Sequence, residues 1–164
     1  MEHKPLFRRM KEMSAAELAV LMAKGTPPAD EALAGWEFRG WNHPPVLALL
    51  GIRKFVKGFF RGDGLEGYNR PPRQDSFENE WTRLGAPFGF YTLERRPEGL
   101  LLDYGASPRN PAWKPERFLR DWLVQPDPSE PDVLLGRATL ALGPWRPRTN
   151  YFLLERLGRS EWRP

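Results

Sequence analysis

The sequence predicts a mainly β domain, an antiparallel up-and-down barrel with an N-terminal helix, from three observations. Aromatic residues make up 13% of the 164 residues, with seven Trp and ten Phe, and large rings are typical of strands. Eighteen Pro and fifteen Gly indicate many turns and short elements. About eight short strand-like segments follow one another at a spacing typical of a barrel or a sandwich. An α+β fold or a β-sandwich is the alternative.

The first predicted element is a helix. Ser14 is followed three residues later by Glu17, which is a capping-box pattern, and the stretch from Ala15 to Lys24 is rich in helix formers. Gly25 then provides a stop signal. A helix this short needs a larger surface to pack against. His3, ahead of it, is expected in a frayed terminus.

The strands are predicted from alternation and turn signals. Asp63-Gly64 is a strong hairpin signal, while the stretch from Val46 is ambiguous and is assigned a helical turn over Val46–Leu50. The candidate strands are Trp36–Trp41, Phe55–Arg61, Leu65–Asn69, Phe77–Arg83, Phe88–Arg95, Leu100–Gly105, Leu119–Val124, Val133–Leu142 and Tyr151–Arg156. No linker divides them, so we expect a single domain over 1–164, with a helical segment over 1–30 and the barrel over 35–157.

Composition excludes several classes of site. The chain has no Cys and only two His, namely His3 and His43, so disulfides, thiolate chemistry and a zinc site of usual composition are not expected. We predict no metal and no cofactor. No apolar run reaches the roughly 20 residues of a membrane span, and we expect a cytoplasmic protein. The net charge of +4 is scattered, so no specific nucleic acid is expected as a partner, while an oligomer is left open.

Aromatic and polar residues on the predicted strands supply the candidate ligand-binding residues. A small barrel can enclose a cavity lined by such rings. Arg156 shares one face of the last strand with Phe152 and Leu154, so it lies at the cavity if that face is internal. Asp103 interrupts an apolar strand. The candidate ligand-binding residues are Trp36, Phe38, Phe59, Tyr68, Phe90, Asp103, Tyr104 and Arg156.

Two stretches resemble a known family. The sequence Leu33-Ala34-Gly35-Trp36-Glu37-Phe38-Arg39-Gly40 resembles the opening strand of lipocalin-like (calycin) barrels, above all a bacterial group named for its GXWXG motif. Leu134-Leu135-Gly136-Arg137 and Tyr151-Phe152-Leu153-Leu154-Glu155-Arg156 look like the closing strands of that group. The resemblance implies a barrel that holds small apolar or amphipathic molecules, in a group largely without assigned activities. Haem-binding relatives use a late histidine, which this chain lacks, so no haem is implied.

The leading prediction is reversible binding of a small hydrophobic or amphipathic ligand, such as a fatty-acid-like carboxylate. The apolar tail would lie among Phe38, Phe59, Phe90 and Tyr104, with Arg156 as the polar anchor.

Two alternatives remain. The first is a protein-interaction module that presents Trp113, Trp145 and Trp162 in loops rich in Pro and Arg. The second, less favoured, is an enzyme of the same barrel type that uses Asp103 with Tyr104 or Tyr68 for proton transfer.

Overall fold

Eight antiparallel strands in sequence order form a closed up-and-down barrel in the computed structural model, which describes residues 3–43, 53–72, 81 and 84–163. The last strand pairs with the first, from Trp36 opposite Arg159 to Asn42 opposite Phe152, and this pairing closes the barrel. The predicted fold class is therefore confirmed. The strands are β1 (Trp36–Asn42), β2 (Lys54–Arg61), β3 (Leu65–Arg70), β4 (Phe88–Arg96), β5 (Gly99–Asp103), β6 (Leu119–Val124), β7 (Val133–Leu140) and β8 (Arg148–Arg159).

The strand bounds differ from the predicted ones chiefly near the chain's end. β8 is longer than predicted because it pairs with β7 as far as Arg148 and with β1 as far as Arg159. β7 ends at Leu140, since Leu142 bridges Trp145 within the β7–β8 connection. The helical turn predicted over Val46–Leu50 lies outside the described residues, as does almost all of the strand predicted over Phe77–Arg83.

Two N-terminal helices cover part of the barrel's outer face. Helix α1 (Pro5–Glu12) buries Leu6, Phe7 and Met10, and helix α2 (Ala15–Lys24) buries Leu18 and Met22. They pack against outward-facing strand residues in one core cluster, which includes Trp41, Val56, Val124, Val133, Leu135 and Leu153. The capping box predicted at the start of α2 is present. No helix in the described part of the chain is long and apolar enough to cross a membrane.

The expectation of a frayed terminus at His3 was wrong. His3 is 8% exposed, and its Nδ1 lies 2.7 Å from Glu155 Oε2 on β8. The Lys4 backbone N–H donates to the other oxygen of Glu155, and Arg39 Nε on β1 donates to Oε2 over 2.7 Å. The N-terminal segment thus packs against the barrel, where His3 and Lys4 supply partners for a buried carboxylate.

The barrel has two ends that differ in content. A third helix, α3 (Asp30–Leu33), buries Leu33 at the end where β1 begins. We call this the α3 end. Its interior is filled with packed apolar side chains, among them Phe38, Phe59, Leu100, Leu123, Leu134 and Leu154. The opposite end, where β1, β3, β5 and β7 finish, is called the cavity end.

Candidate functional site

The inside of the barrel contains a cavity of about 390 Å³ at the cavity end. Its size falls within the range of small-molecule sites. The described lining residues come from all eight strands or their ends, so the cavity is a property of the closed barrel. They are Asn42, Phe55, Lys57, Asn69, Phe88, Tyr104, Leu119, Asp121, Ala138, Leu140, Thr149, Asn150 and Phe152.

Glycine makes room for one of the rings that line this cavity. Gly136 on β7 lies opposite Phe152 on β8. A Cβ added at Gly136 would lie 2.0 Å from a ring carbon of Phe152, closer than any packed contact. The Phe152 ring therefore lies over the β7 backbone at Gly136, where it forms part of the cavity wall.

A buried lysine is the central polar group of the cavity. Lys57 alternates with Phe55 and Phe59 along β2, so its side chain points inward with theirs. It is 2% exposed. The three N–H groups of its ammonium all have acceptors, namely Asn69 Oδ1 at 3.0 Å, Tyr104 Oη at 2.5 Å and Asp121 Oδ2 at 3.0 Å.

The Lys57 ammonium is surrounded by aromatic rings and by the carboxylate of Asp121. The Nζ atom lies 4.8 Å from the ring centre of Tyr91 and 5.2 Å from those of Tyr104 and Phe152. Burial lowers the pKa of Lys57, and the Asp121 carboxylate opposes that shift. Burial and the charge of Asp121 also raise the pKa values of Tyr104 and Tyr91 well above the usual value of a phenol. Both tyrosines therefore remain neutral hydrogen-bond donors.

Most polar atoms of the cluster formed by Lys57, Asn69, Tyr104 and Asp121 have hydrogen-bond partners within the barrel. The Tyr104 hydroxyl donates to Asp121 Oδ2 over 3.0 Å, and the Asn69 amide donates to the Gly89 carbonyl over 3.0 Å. Of the buried polar atoms in the described lining, only Asp121 Oδ1 has no hydrogen-bond partner. Because a buried carboxylate oxygen without a donor is costly, Asp121 is the lining residue that still lacks a hydrogen-bond donor.

Of the eight residues predicted from the sequence, only Tyr104 lines the cavity. Phe38 and Phe59 are fully buried and point inward, but they belong to the packed α3 end, where their ring centres are 5.6 Å apart. Trp36 is half-buried at the same end, with the Arg156 guanidinium 4.3 Å from its ring centre.

Tyr68 and Phe90 lie on the outer face of the barrel. The Tyr68 hydroxyl donates to Glu37 Oε1 over 2.8 Å and lies 2.6 Å from Ser160 Oγ. The rings of Tyr68 and Phe90 pack with Trp162, with centres 4.9 and 5.6 Å away. Burial raises the pKa of Tyr68. These two residues fasten the C-terminal segment to the barrel.

The predicted polar residues also lie away from the cavity. Asp103 is half-buried on the outer face, and Arg120 Nε lies 3.2 Å from its carboxylate. It therefore faces the opposite side of the β5 strand from Tyr104. Arg156 does lie on the inward-facing side of β8, but at the α3 end. Its Nε is 2.6 Å from Asp132 Oδ1, and its Nη2 donates to the Ala32 carbonyl over 3.0 Å.

Lys57, Asn69 and Asp121 were missed by the sequence reasoning. The available signal was alternation, because Lys57 stands between Phe55 and Phe59, and Asp121 between Leu119 and Leu123, at the same spacing as inward apolar neighbours. Within the described residues, no group of His, Asp and Glu side chains has the arrangement of a metal site.

Comparison with known proteins gives no relative. No family model matches the chain, and no curated protein and no solved structure matches it either. The functional interpretation therefore rests on the geometry of the barrel.

Proposed function

We propose that the barrel binds one small apolar molecule at its cavity end, beside the Lys57–Asp121 pair. The observation that carries the proposal is a cavity of about 390 Å³ whose wall is largely apolar and contains one buried acceptor without a partner. Apolar contact favours binding by roughly 0.8 kcal/mol per buried methylene. The unpaired oxygen of Asp121 favours a ligand with a hydroxyl or N–H group at its inner end.

This proposal differs from a fatty-acid-like carboxylate held by Arg156. The charges of Lys57 and Asp121 offset each other, and every Lys57 N–H already has an acceptor. A ligand carboxylate would lie beside the buried Asp121 carboxylate, and like charges repel strongly in a low-dielectric cavity. A neutral ligand with a donor group suits this cavity better than an anion.

Filling the cavity tests the proposal. Ala138 lines the cavity, so Ala138→Phe places a ring in the space that the ligand would occupy. In a fluorescence titration with the neutral probe N-phenylnaphthylamine, we expect saturable binding to the wild type and at least about tenfold weaker binding to Ala138→Phe. The matched control is Ala29→Phe, at an exposed position beside α3, which should bind as the wild type does.

The same titration examines the polar end of the ligand. The N-methylated analogue of the probe has no N–H to donate to Asp121, so we expect it to bind more weakly to the wild type.

The probe could also bind equally well to Ala138→Phe and to the wild type, with both proteins folded by circular dichroism. That result would reject the cavity as the site.

A second candidate function is the docking of the cavity end on another protein molecule, for which a second copy of this chain is the case tested. Five of the six large apolar side chains that are exposed in the described residues lie in connections or strand ends at this end. They are Phe88, Trp113, Phe118, Leu142 and Trp145. Exposed Trp is typical of interface anchors.

If the cavity end self-associates, the molecular mass of the wild type measured by sedimentation should rise with protein concentration. The double variant Trp113→Ser/Trp145→Ser should abolish this rise. A wild type that is monomeric at all concentrations argues against self-association.

A further inference from the structure

The outer face of β5 to β8 carries a separate concave groove of about 730 Å³. Trp122 and Tyr151, which belong to the cluster packed against α1 and α2, form one side of the groove, and the arginines lie on the other. One row of cross-strand partners runs over it from Trp122 to Arg137 to Tyr151. The neighbouring row consists of Arg120, Thr139 and Arg148. The groove is therefore built from a rigid sheet surface and not from loops alone.

Four arginines line the groove, and among the described residues one carboxylate pairs with them. Arg120 pairs with Asp103 at 3.2 Å. Within the described part of the chain, Arg137, Arg146 and Arg148 have no carboxylate oxygen within ion-pair distance of their guanidinium groups. Three uncompensated positive charges thus face one concave surface, which is an arrangement that attracts anions.

Several N–H groups of the groove arginines have no hydrogen-bond acceptor among the described residues. Arg148 Nη1 donates to the Tyr151 hydroxyl over 3.0 Å, and Arg146 Nη1 donates to the carbonyl oxygens of its own hairpin at Gly143 and Trp145. Arg137 Nε is buried and has no partner among the described residues. The Arg137 guanidinium donates no hydrogen bond to another described residue, so its terminal N–H groups can serve an acceptor-rich ligand.

Aromatic surface accompanies this charge. Trp122 is half-buried in the groove, with the Arg137 guanidinium 5.9 Å from its ring centre. The Arg148 guanidinium lies 4.8 Å from the ring centre of Tyr151. A guanidinium group over a ring retains N–H groups that can contact phosphate oxygens.

We propose that this groove binds a phosphate-bearing ligand with a planar ring, of which a nucleotide is the simplest form. Phosphate oxygens would accept from Arg137 and Arg148, and the ring would lie against the Trp122 side of the groove. The site is independent of the barrel cavity. A free nucleotide and a strand of nucleic acid share this chemistry, and the experiment separates them.

Calorimetric titration at low ionic strength tests the proposal with three ligands: adenosine diphosphate, adenosine and a short oligothymidylate. We expect adenosine diphosphate to bind the wild type and adenosine to bind at least about tenfold more weakly. Arg137→Gln and Arg148→Gln, measured separately, should each weaken adenosine diphosphate binding by about tenfold or more. The control Arg96→Gln removes an exposed arginine that pairs with Glu94 on another face, and it should leave binding unchanged.

The ligand comparison identifies the source of the phosphate. Tighter binding of the oligothymidylate, with the same loss in both groove variants, assigns the groove to a nucleic-acid strand; tighter binding of the diphosphate assigns it to free nucleotides. Arg148 is exposed, so Arg148→Gln remains informative if Arg137→Gln perturbs the fold. Absence of binding by both phosphate ligands, or binding that is equal in Arg148→Gln and the wild type, would overturn the proposal.

Discussion

Lys57→Met is expected to lower the free energy of unfolding by about 3–5 kcal/mol. The substitution keeps much of the side-chain volume but removes the only positive charge that Asp121 contacts among the described residues. Asp121 is 4% exposed, so its carboxylate would remain buried without a counter-charge. It would also leave Asn69 Oδ1 without the donor that Lys57 supplies. Urea unfolding followed by tryptophan fluorescence measures the loss.

The double variant Lys57→Met with Asp121→Leu separates charge from packing. Removing both members of a buried pair is often neutral, so the double variant should recover most of the stability that Lys57→Met loses. Lys24→Met, at an exposed position at the end of α2, is the matched control and should change stability by less than about 0.5 kcal/mol. A stability of Lys57→Met equal to that of the wild type would mean that the pair is not buried as described.

Glu155→Gln is expected to lower the free energy of unfolding by about 2–3 kcal/mol at neutral pH. The Glu155 carboxylate accepts hydrogen bonds from Arg39 and from the backbone N–H of Lys4. One of its oxygens also lies 2.7 Å from His3 Nδ1. An amide has no charge to offset Arg39, and its NH2 group would face donors where the carboxylate oxygen now accepts. Because these contacts join α1 to β1 and β8, the variant should also expose the N-terminal segment to proteolysis.

The acid side of the stability profile gives a second readout of Glu155. Burial would raise the pKa of Glu155, but the contacts with His3, Lys4 and Arg39 together lower it. A carboxyl group with a lowered folded-state pKa stabilises the protein above its unfolded-state pKa, and this contribution is lost as pH falls towards the folded-state pKa. The difference between wild type and Glu155→Gln should therefore shrink in acid, below about pH 4.5.

An exposed carboxylate provides the control for Glu155. Glu94 pairs with Arg96, and both side chains are about half exposed to solvent, so Glu94→Gln should change stability by less than about 1 kcal/mol. A Glu155→Gln variant that is as stable as Glu94→Gln at neutral pH, or a difference that grows in acid, would contradict the proposed role of Glu155.

The barrel could be predicted because its signals are local. Alternating apolar residues, the Asp63-Gly64 turn and the Ser14 capping box each depend on a few neighbouring positions, and each is present in the structure. Helix α1 was not assigned at residue level, because it is stabilised chiefly by apolar contacts with distant outward-facing strand residues such as Leu153 and by the Glu155 cluster next to its start. Those contacts join residues far apart in sequence.

The cavity could not be predicted because the pairing of each strand with its neighbours determines which of its side chains point into the barrel. On β3 the glycine and asparagine point inward, and the large ring of Tyr68 points outward over Gly58, where a Cβ would lie 2.1 Å from that ring. The register shift between Gly67 and Asn69 in the β3–β4 pairing adds to the ambiguity. Charge also misled the interpretation, because Lys57 and Asp121 resemble surface residues until their mutual contact at 3.0 Å is known.

The central claim, that the cavity end holds an apolar ligand beside Lys57 and Asp121, is tested most directly by NMR of leucine methyl groups during titration with N-phenylnaphthylamine. Leu119 and Leu140 line the cavity, whereas Leu134 lies in the packed core of the barrel interior and Leu18 lies on the buried face of α2. We expect saturable shifts at Leu119 and Leu140, with Leu134 and Leu18 unchanged. Shifts confined to Leu18, or none at Leu119 and Leu140 at saturating probe, would contradict the account.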